Sequence, residues 1–247
     1  MALLRSIFSA LVVVAPATED PVRKYVVDCA EAFGPCVVSD GTDRVSLRDA
    51  DDLVFHIDKS ILVAAQRERP DLFFLHAAAI GVNGRVVALP AFPGTGKSTL
   101  TLALAESGLE YLSDELAPVD LQTLMVEPFP HAICLKSLPP FRSALPQGTL
   151  KVNDRFHIPV EALATTTRRE ALPLAAIVFL RRAAPAVQGL RTLSTASAAT
   201  CLMAHVLNGL AHPAYGLDAA IALGRAVPCY ELDVTDTASA VRQIAAL

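Results

Sequence analysis

A chain of 247 residues that is 53% hydrophobic and only 19% charged can supply a sizeable buried core and lies far from the disordered class. Its formal net charge of −4 excludes a general attraction to nucleic acid or to an anionic membrane surface. No apolar run is long enough to cross a bilayer.

The first residues carry Arg5, an apolar run at Leu11–Ala15 and a small-residue end at Ala15-Pro16-Ala17. The basic region is thin and the run short for a signal peptide, so Ala10–Val14 reads as a buried strand and the protein as cytoplasmic. Five scattered cysteines (Cys29, Cys36, Cys134, Cys201, Cys229) never stand as C-x-x-C. That pattern argues against a disulfide framework or a zinc site, and predicts free thiols in a reducing compartment.

Strand-like stretches follow at Pro35–Val38, Arg44–Leu47 and Leu53–Ile57, separated by Ser39-Asp40-Gly41 and by the acidic turn Asp49–Asp52. Asp58 would cap a helix running to Gln66 and ending before Pro70. Residues 1–70 therefore read as a small β-rich lobe, and residues 71–247 as the catalytic core.

The pattern sharpens from residue 72. Leu72–Ile80 and Arg85–Leu89 flank Val82-Asn83-Gly84, and Asn-Gly is the preferred centre of a two-residue hairpin because both positions need positive φ. The second strand should thus run antiparallel to the first. A helix over Ser98–Ser107 with Gly108 as its cap comes next, then a short strand at Glu110–Leu112. Pro128–Thr149, with five prolines and one glycine, reads mainly as loop around a strand at Ala132–Leu135. Ala175–Leu180 is a buried strand and Ala198–Leu210 a helix capped by Ser197. A helix at Leu217–Ala226, a strand at Cys229–Val234 and a helix at Ser239–Leu247 complete the chain.

Between Leu89 and the helix lies Ala91-Phe92-Pro93-Gly94-Thr95-Gly96-Lys97-Ser98-Thr99, which fits the phosphate-loop pattern G-x-x-x-x-G-K-[ST] except for Ala91 at the first glycine. The backbone N–H groups of Gly94, Thr95, Gly96, Lys97 and Ser98 can surround a β-phosphate at a helix N-terminus, with Thr99 following. Lys97 supplies a mobile charge to the β- and γ-phosphates and Ser98 a hydroxyl to Mg²⁺. Lys97 is one of five lysines in an arginine-rich chain, where a merely solvated cation would more often be arginine. One helix and one strand further on come Asp114-Glu115. Two adjacent carboxylates there suit a magnesium site, one holding the ion while the other takes a proton from an attacking hydroxyl. His76 sits in an apolar strand, where a hydrogen-bonded core histidine is the commoner outcome.

Taken together, these spacings resemble the catalytic domain of bacterial HPr serine kinases. His76 lies 21 residues before Lys97 (97−76) and Asp114 lies 17 after it (114−97), with Gly108 between. Phosphoenolpyruvate carboxykinases share a related fold and a G-T-G-K loop, but their carboxylate pair falls sooner after the lysine. The resemblance covers about Phe73–Asp120 and implies an α/β fold: an HPr kinase/phosphoenolpyruvate carboxykinase-like P-loop core with a mixed sheet. It further implies ATP and Mg²⁺ as cosubstrate and cofactor, with Asp114 as base, His76 supporting it and Glu115 helping to hold Mg²⁺. Lys136 and Arg181 are candidates for stabilising charge on the transferring phosphoryl group, and equally strand-end surface residues.

The chain departs from that family in having Glu115 for the second Asp and Ile133-Cys134-Leu135-Lys136 for the E-I-R-G-type motif, and in lacking the R-P-G-R-N-type loop. HPr is therefore not the expected substrate. The chain is more similar to the HPr-kinase-related enzymes of peptide-modification systems, including those that phosphorylate lasso-peptide precursors. The acceptor is then a serine of a peptide or protein, with neither nucleic acid nor membrane as partner and a homo-oligomer left open. A small-molecule kinase on this scaffold and a regulatory P-loop ATPase without an acceptor hydroxyl are the competing readings.

Overall fold

The computed structural model describes residues 2–11, 24–29, 34–41, 43–182 and 189–247. A short helix α1 (Ala2–Ile7) leads into a 3-10 turn at Ser9–Leu11. Ala10 and Leu11, expected in a strand, belong to that turn, and residues 12–14 of the expected strand lie outside the described residues. Ile7, Phe8 and Ala10 are buried all the same. Ile7 and Phe8 pack with Val54, Ala132 and Val152, so these apolar residues plug a gap beside the core.

Strands β1 (Val26–Cys29), β2 (Cys36–Ser39) and β3 (Arg44–Leu47) form an antiparallel sheet. Its register sets Cys29 opposite Cys36, with Cα atoms 4.2 Å apart, and the two are joined by a disulfide. That corrects the expectation of free thiols and removes the cysteine argument for a reducing compartment. The pairing depends on hairpin register, which spacing alone does not reveal. Cys134, Cys201 and Cys229 are free.

The expected strand at Leu53–Ile57 is instead part of a 19-residue helix, α2 (Ala50–Glu68). Asp49, read as part of a turn, caps it by accepting from the Asp52 N–H, and Asp51 and Asp52 favour its positive end. Val54, Ile57, Asp58 and Leu62 then fall on one buried face at helical spacing. Asp58 is thus a mid-helix residue turned inward rather than a cap.

The core is a mixed sheet. β4 (Phe73–Val82) and β5 (Arg85–Pro90) are antiparallel as expected, joined through Asn83 and Gly84 with φ of 51° and 74°. Helix α3 (Lys97–Glu106) follows, closed by Gly108 at φ 93°. Strands β6 (Glu110–Ser113) and β7 (Leu116–Val119) both pair antiparallel with β4, β6 along its second half and β7 along its first. β8 (Met125–Val126) extends from β7. β9 (Ile133–Leu135), β10 (Leu150–Val152) and β11 (Arg155–Ile158) make a separate small antiparallel sheet. β12 (Leu172–Arg181) runs parallel to β5, and β13 (Arg191–Thr192) lies at the far edge.

Helix α4 (Thr195–Met203) starts three residues earlier than expected and stops at Met203 rather than Leu210. Ser194 accepts from the Ser197 N–H, so the cap is Ser194 and Ser197 is already helical. Beyond it, Val206 bridges Leu75 and the chain runs alongside β4. Helix α5 (Leu217–Ala226), strand β14 (Cys229–Asp233), parallel to β12, and helix α6 (Thr237–Ala245) follow as expected to within a residue or two.

Side chains alternate along β4. Ala78, Ile80 and Val82 join Leu100, Leu102 and Leu104 of α3 and Ile244 of α6 on one face. Phe73, Leu75, Ala77 and Ala79 join Leu202 of α4 and Leu223 of α5 on the other. Helices therefore cover both faces of the sheet. Helix α3 is buried nearly all round, which explains why it carries no amphipathic stripe. Full burial of one leucine contributes roughly 1.5–3 kcal/mol, so its three leucines fix the end of the phosphate loop rigidly. Among the described residues, no helix is long and apolar enough to cross a membrane.

Candidate active site

The phosphate loop joins β5 to α3 through two glycines in left-handed conformation, Gly94 at φ 86° and Gly96 at φ 108°. A side chain at either would be strained there, which is why this loop needs glycine at both. Ala91 has an ordinary backbone and bridges Leu180 of β12. It simply continues the strand, so the usual first glycine is dispensable.

Register brings the other groups to the loop. His76 is opposite Leu116 in the β4–β7 ladder. The turn Ser113-Asp114-Glu115 joins β6 to β7 and therefore projects beside the middle of β4. Ser113 Oγ pins it by accepting from the N–H groups of Glu115 and Leu116. The Lys97 ammonium donates to the Asp114 carbonyl oxygen and lies 3.6 Å from Asp114 Oδ1. Asp114 is only 2% exposed, and its buried Oδ1 has no hydrogen-bond partner.

Glu115 points the other way. It lines a cleft of about 610 Å³ with the loop, and Asp114 does not. His76 Nε2 is 3.8 Å from one of its oxygens and Lys59 Nζ is 3.3 Å from the other. Burial pushes the Glu115 carboxyl up, but the nearby His76 ring and the charges of Lys97 and Lys59 outweigh it and hold the group well below the usual carboxylate range. The cleft has the size of a small-molecule site with room to spare.

Its opposite wall comes from α2 and the small sheet. Asp58 of α2 accepts from His131 Nε2 at 2.8 Å, and His131 is 4% exposed. Tyr111 donates its phenolic hydrogen to the His131 carbonyl oxygen. The turn at Asn153 is tied to α2 by its N–H, which donates to Asp51 at 2.7 Å. Asp58, Lys59, His131, Arg155 and His157 all line the cleft, and sequence reasoning missed every one of them. The lysine-scarcity argument would have found one: Lys59 and Lys136 line the cleft along with Lys97.

The structure thus brings Gly94, Thr95, Gly96, Lys97, Ser98, Thr99, His76, Glu115 and Lys136 to one cleft, with Asp114 behind Lys97. Arg181 is not brought there. It is paired with Glu231 at 3.1 Å, and its neighbour Arg182 faces the cleft instead.

Two histidines near the cleft are held neutral. Burial lowers His157 to about 4, helped by His131 and Arg155 and opposed by Asp58. Burial lowers His205 to about 4 as well, helped by the charges of His76 and Lys97. In the unfolded chain both titrate near 6.5. Stability is therefore full above about pH 6.5 and falls as pH drops toward 4, by about 1.4 kcal/mol per unit for each group. Urea midpoints measured across that window should fall with acidity, and His205→Leu should flatten the slope. An unchanged slope in that variant would mean that His205 is not held neutral.

No family model matches the chain, and no curated protein matches it. Among solved structures, the HPr(Ser) kinase/phosphatase from Coxiella burnetii matches at 12% identity and a TM-score of 0.38, over 70% of this chain and 93% of that one. A likeness of that depth carries no argument, so the reading below rests on the chain's own residues.

Proposed function

We propose that this chain is an ATP- and Mg²⁺-dependent kinase of the HPr kinase-like type that phosphorylates a serine hydroxyl of a peptide or protein, a ribosomal precursor peptide being the acceptor class implied by the sequence resemblance. One observation carries it: a glycine-turned phosphate loop shares a cleft with the ionised Glu115 carboxylate and His76. The loop N–H groups and the start of α3 suit the β-phosphate, and Lys97 can leave the Asp114 carbonyl for the γ-phosphate.

The oxygen donors near the loop fit Mg²⁺, which prefers oxygen ligands and keeps several waters. Asp114 Oδ1 is a buried oxygen without a hydrogen bond, 3.6 Å from the Lys97 ammonium, and a hydrated cation could take that place when Lys97 turns to the γ-phosphate. Ser98 and Asp114 would hold the ion; when bound it supplies charge neutralisation for the phosphates. Among the described residues no cluster of three His, Cys, Asp or Glu could hold a metal by itself, which agrees with an ion completed by phosphate and water.

Glu115 and His76 then face the acceptor. The acceptor oxygen forms a bond to Pγ as the bond from Pγ to the β-bridging oxygen breaks, ADP leaves, and the hydroxyl proton passes to Glu115. A carboxylate held so low is a weak base, which suits a loose transition state with little bonding to the incoming oxygen. This exchanges the roles expected from the sequence resemblance, because burial leaves Asp114 no access to an acceptor.

Incubation with γ-labelled ATP, Mg²⁺ and serine peptides is expected to give labelled phosphoserine. Label recovered only as inorganic phosphate would favour the ATPase, in which Glu115 orients water. Label on small molecules alone would favour the small-molecule kinase.

A further inference from the structure

The small sheet of β9, β10 and β11 sorts its residues by face. Ile133 and Ile158 are in the main core with Phe156 packed against them, Leu135 reaches both the core and the cleft, and Cys134, Lys136, Arg155 and His157 line the cleft. Strand alternation requires such a division. Cys134 is opposite His157 and Leu135 opposite Phe156; Lys136 directly follows β9, and it and Arg155 both line the cleft. Two like charges on one cleft wall repel each other. Neither cation has an ion-pair partner among the described residues. Arg155 lies beside the Cys134 thiol, which burial pushes up to about 11 and so keeps neutral.

A second observation points the same way. His157 is 8% exposed, borders the cleft, and its buried Nδ1 has no hydrogen-bond partner. The cleft's two carboxylates are committed elsewhere, Glu115 to His76 and Lys59, Asp58 to His131. Lys136 and Arg155 thus face open space across from the phosphate loop, in a chain whose net charge is −4.

We propose that Lys136, Arg155 and His157 form an acceptor subsite that binds an anionic group, a carboxylate or a phosphate, carried close to the hydroxyl that is phosphorylated. The proposal rests on the kinase reading above and specifies the acceptor. Charge-assisted contacts to an anion offset the repulsion between the two cations and orient the acceptor toward Glu115.

Its test is acceptor selection by labelled transfer. One panel holds serine peptides whose flanking positions are Asp, Glu or phosphoserine, against Gln and Lys. A second holds small hydroxy acids against their neutral amides. Wild-type protein should label anionic members of one panel at least about tenfold faster than their neutral counterparts, and the panel tells which source the anion has. Lys136→Gln with Arg155→Gln should remove the preference for anionic members while the protein still binds Mg²⁺–ATP, and that binding also reports folding. Equal labelling of neutral and anionic acceptors overturns the proposal and leaves the kinase intact. Loss of Mg²⁺–ATP binding in Lys136→Gln and Arg155→Gln also overturns it, assigning both cations to the nucleotide. Absence of label in every panel, with ATP still hydrolysed, removes the kinase reading and this proposal with it.

Discussion

Lys97→Ala is expected to abolish phosphoryl transfer, with a fall of about 10³-fold or more, since the loop loses the cation that meets the developing charge on the γ-phosphate. The residue is 9% exposed, and Asp114, its anionic neighbour, is more buried still. Removing the ammonium therefore has a structural effect as well. It leaves a buried carboxylate without its cation, a change that typically costs about 3–5 kcal/mol. Lys97→Ala should melt lower than wild type, and adding Asp114→Asn should restore part of the loss by removing the stranded charge. Transfer would stay absent in the double variant. Labelled-transfer rates and thermal melts of the three proteins separate these contributions. Transfer above a tenth of the wild-type rate in a folded Lys97→Ala protein would sink the phosphate-loop assignment.

The adjacent carboxylates should part company when each is made an amide. Asp114→Asn is expected to weaken the Mg²⁺-dependent part of nucleotide affinity, because an amide oxygen holds the ion less well than a carboxylate. Glu115→Gln is expected to keep Mg²⁺–ATP affinity and lose about 10²–10⁴ in transfer rate, as an amide cannot take up the acceptor's proton. Glu115 is paired with Lys59, so its replacement also frees that cation in the cleft and should, if anything, tighten binding of the polyanion. Nucleotide titrations with and without Mg²⁺, beside transfer assays, read both effects. The opposite pattern would return the base to Asp114 and the ion to Glu115, as the family resemblance implied.

The glycine loop between β5 and α3, expected to bind phosphate, was legible because its requirements are local. Two positive-φ glycines, a lysine and a hydroxyl residue must be contiguous, and the strand before and helix after announce themselves by their own patterns. The hairpin at Asn83-Gly84 was legible for the same reason. Helix α2 was not, because Asp49–Asp52 serves equally as a turn and as a cap with an acidic first turn, and Leu53–Ile57 matches a strand template over so short a window. With that helix went Asp58 and Lys59, and with the unread hairpin of β10 and β11 went Arg155 and His157. Which carboxylate of the pair meets the cleft depends on how β6 and β7 share β4, and adjacency in sequence carries no trace of it. The Cys29–Cys36 link depends likewise on register.

Helix α2 belongs by chain order to the first seventy residues, yet it forms one wall of the cleft, and its Asp58 is paired with His131, far along the core. A pair so deeply placed ties the fates of the two parts. Were α2 to detach, His131 would lose its partner and the phosphate loop would face open water. Excursions in which α2 opens alone are therefore penalised, so α2 is expected to unfold together with the core. A chain cut at residue 70 would keep its phosphate loop and lose the vessel in which the loop works.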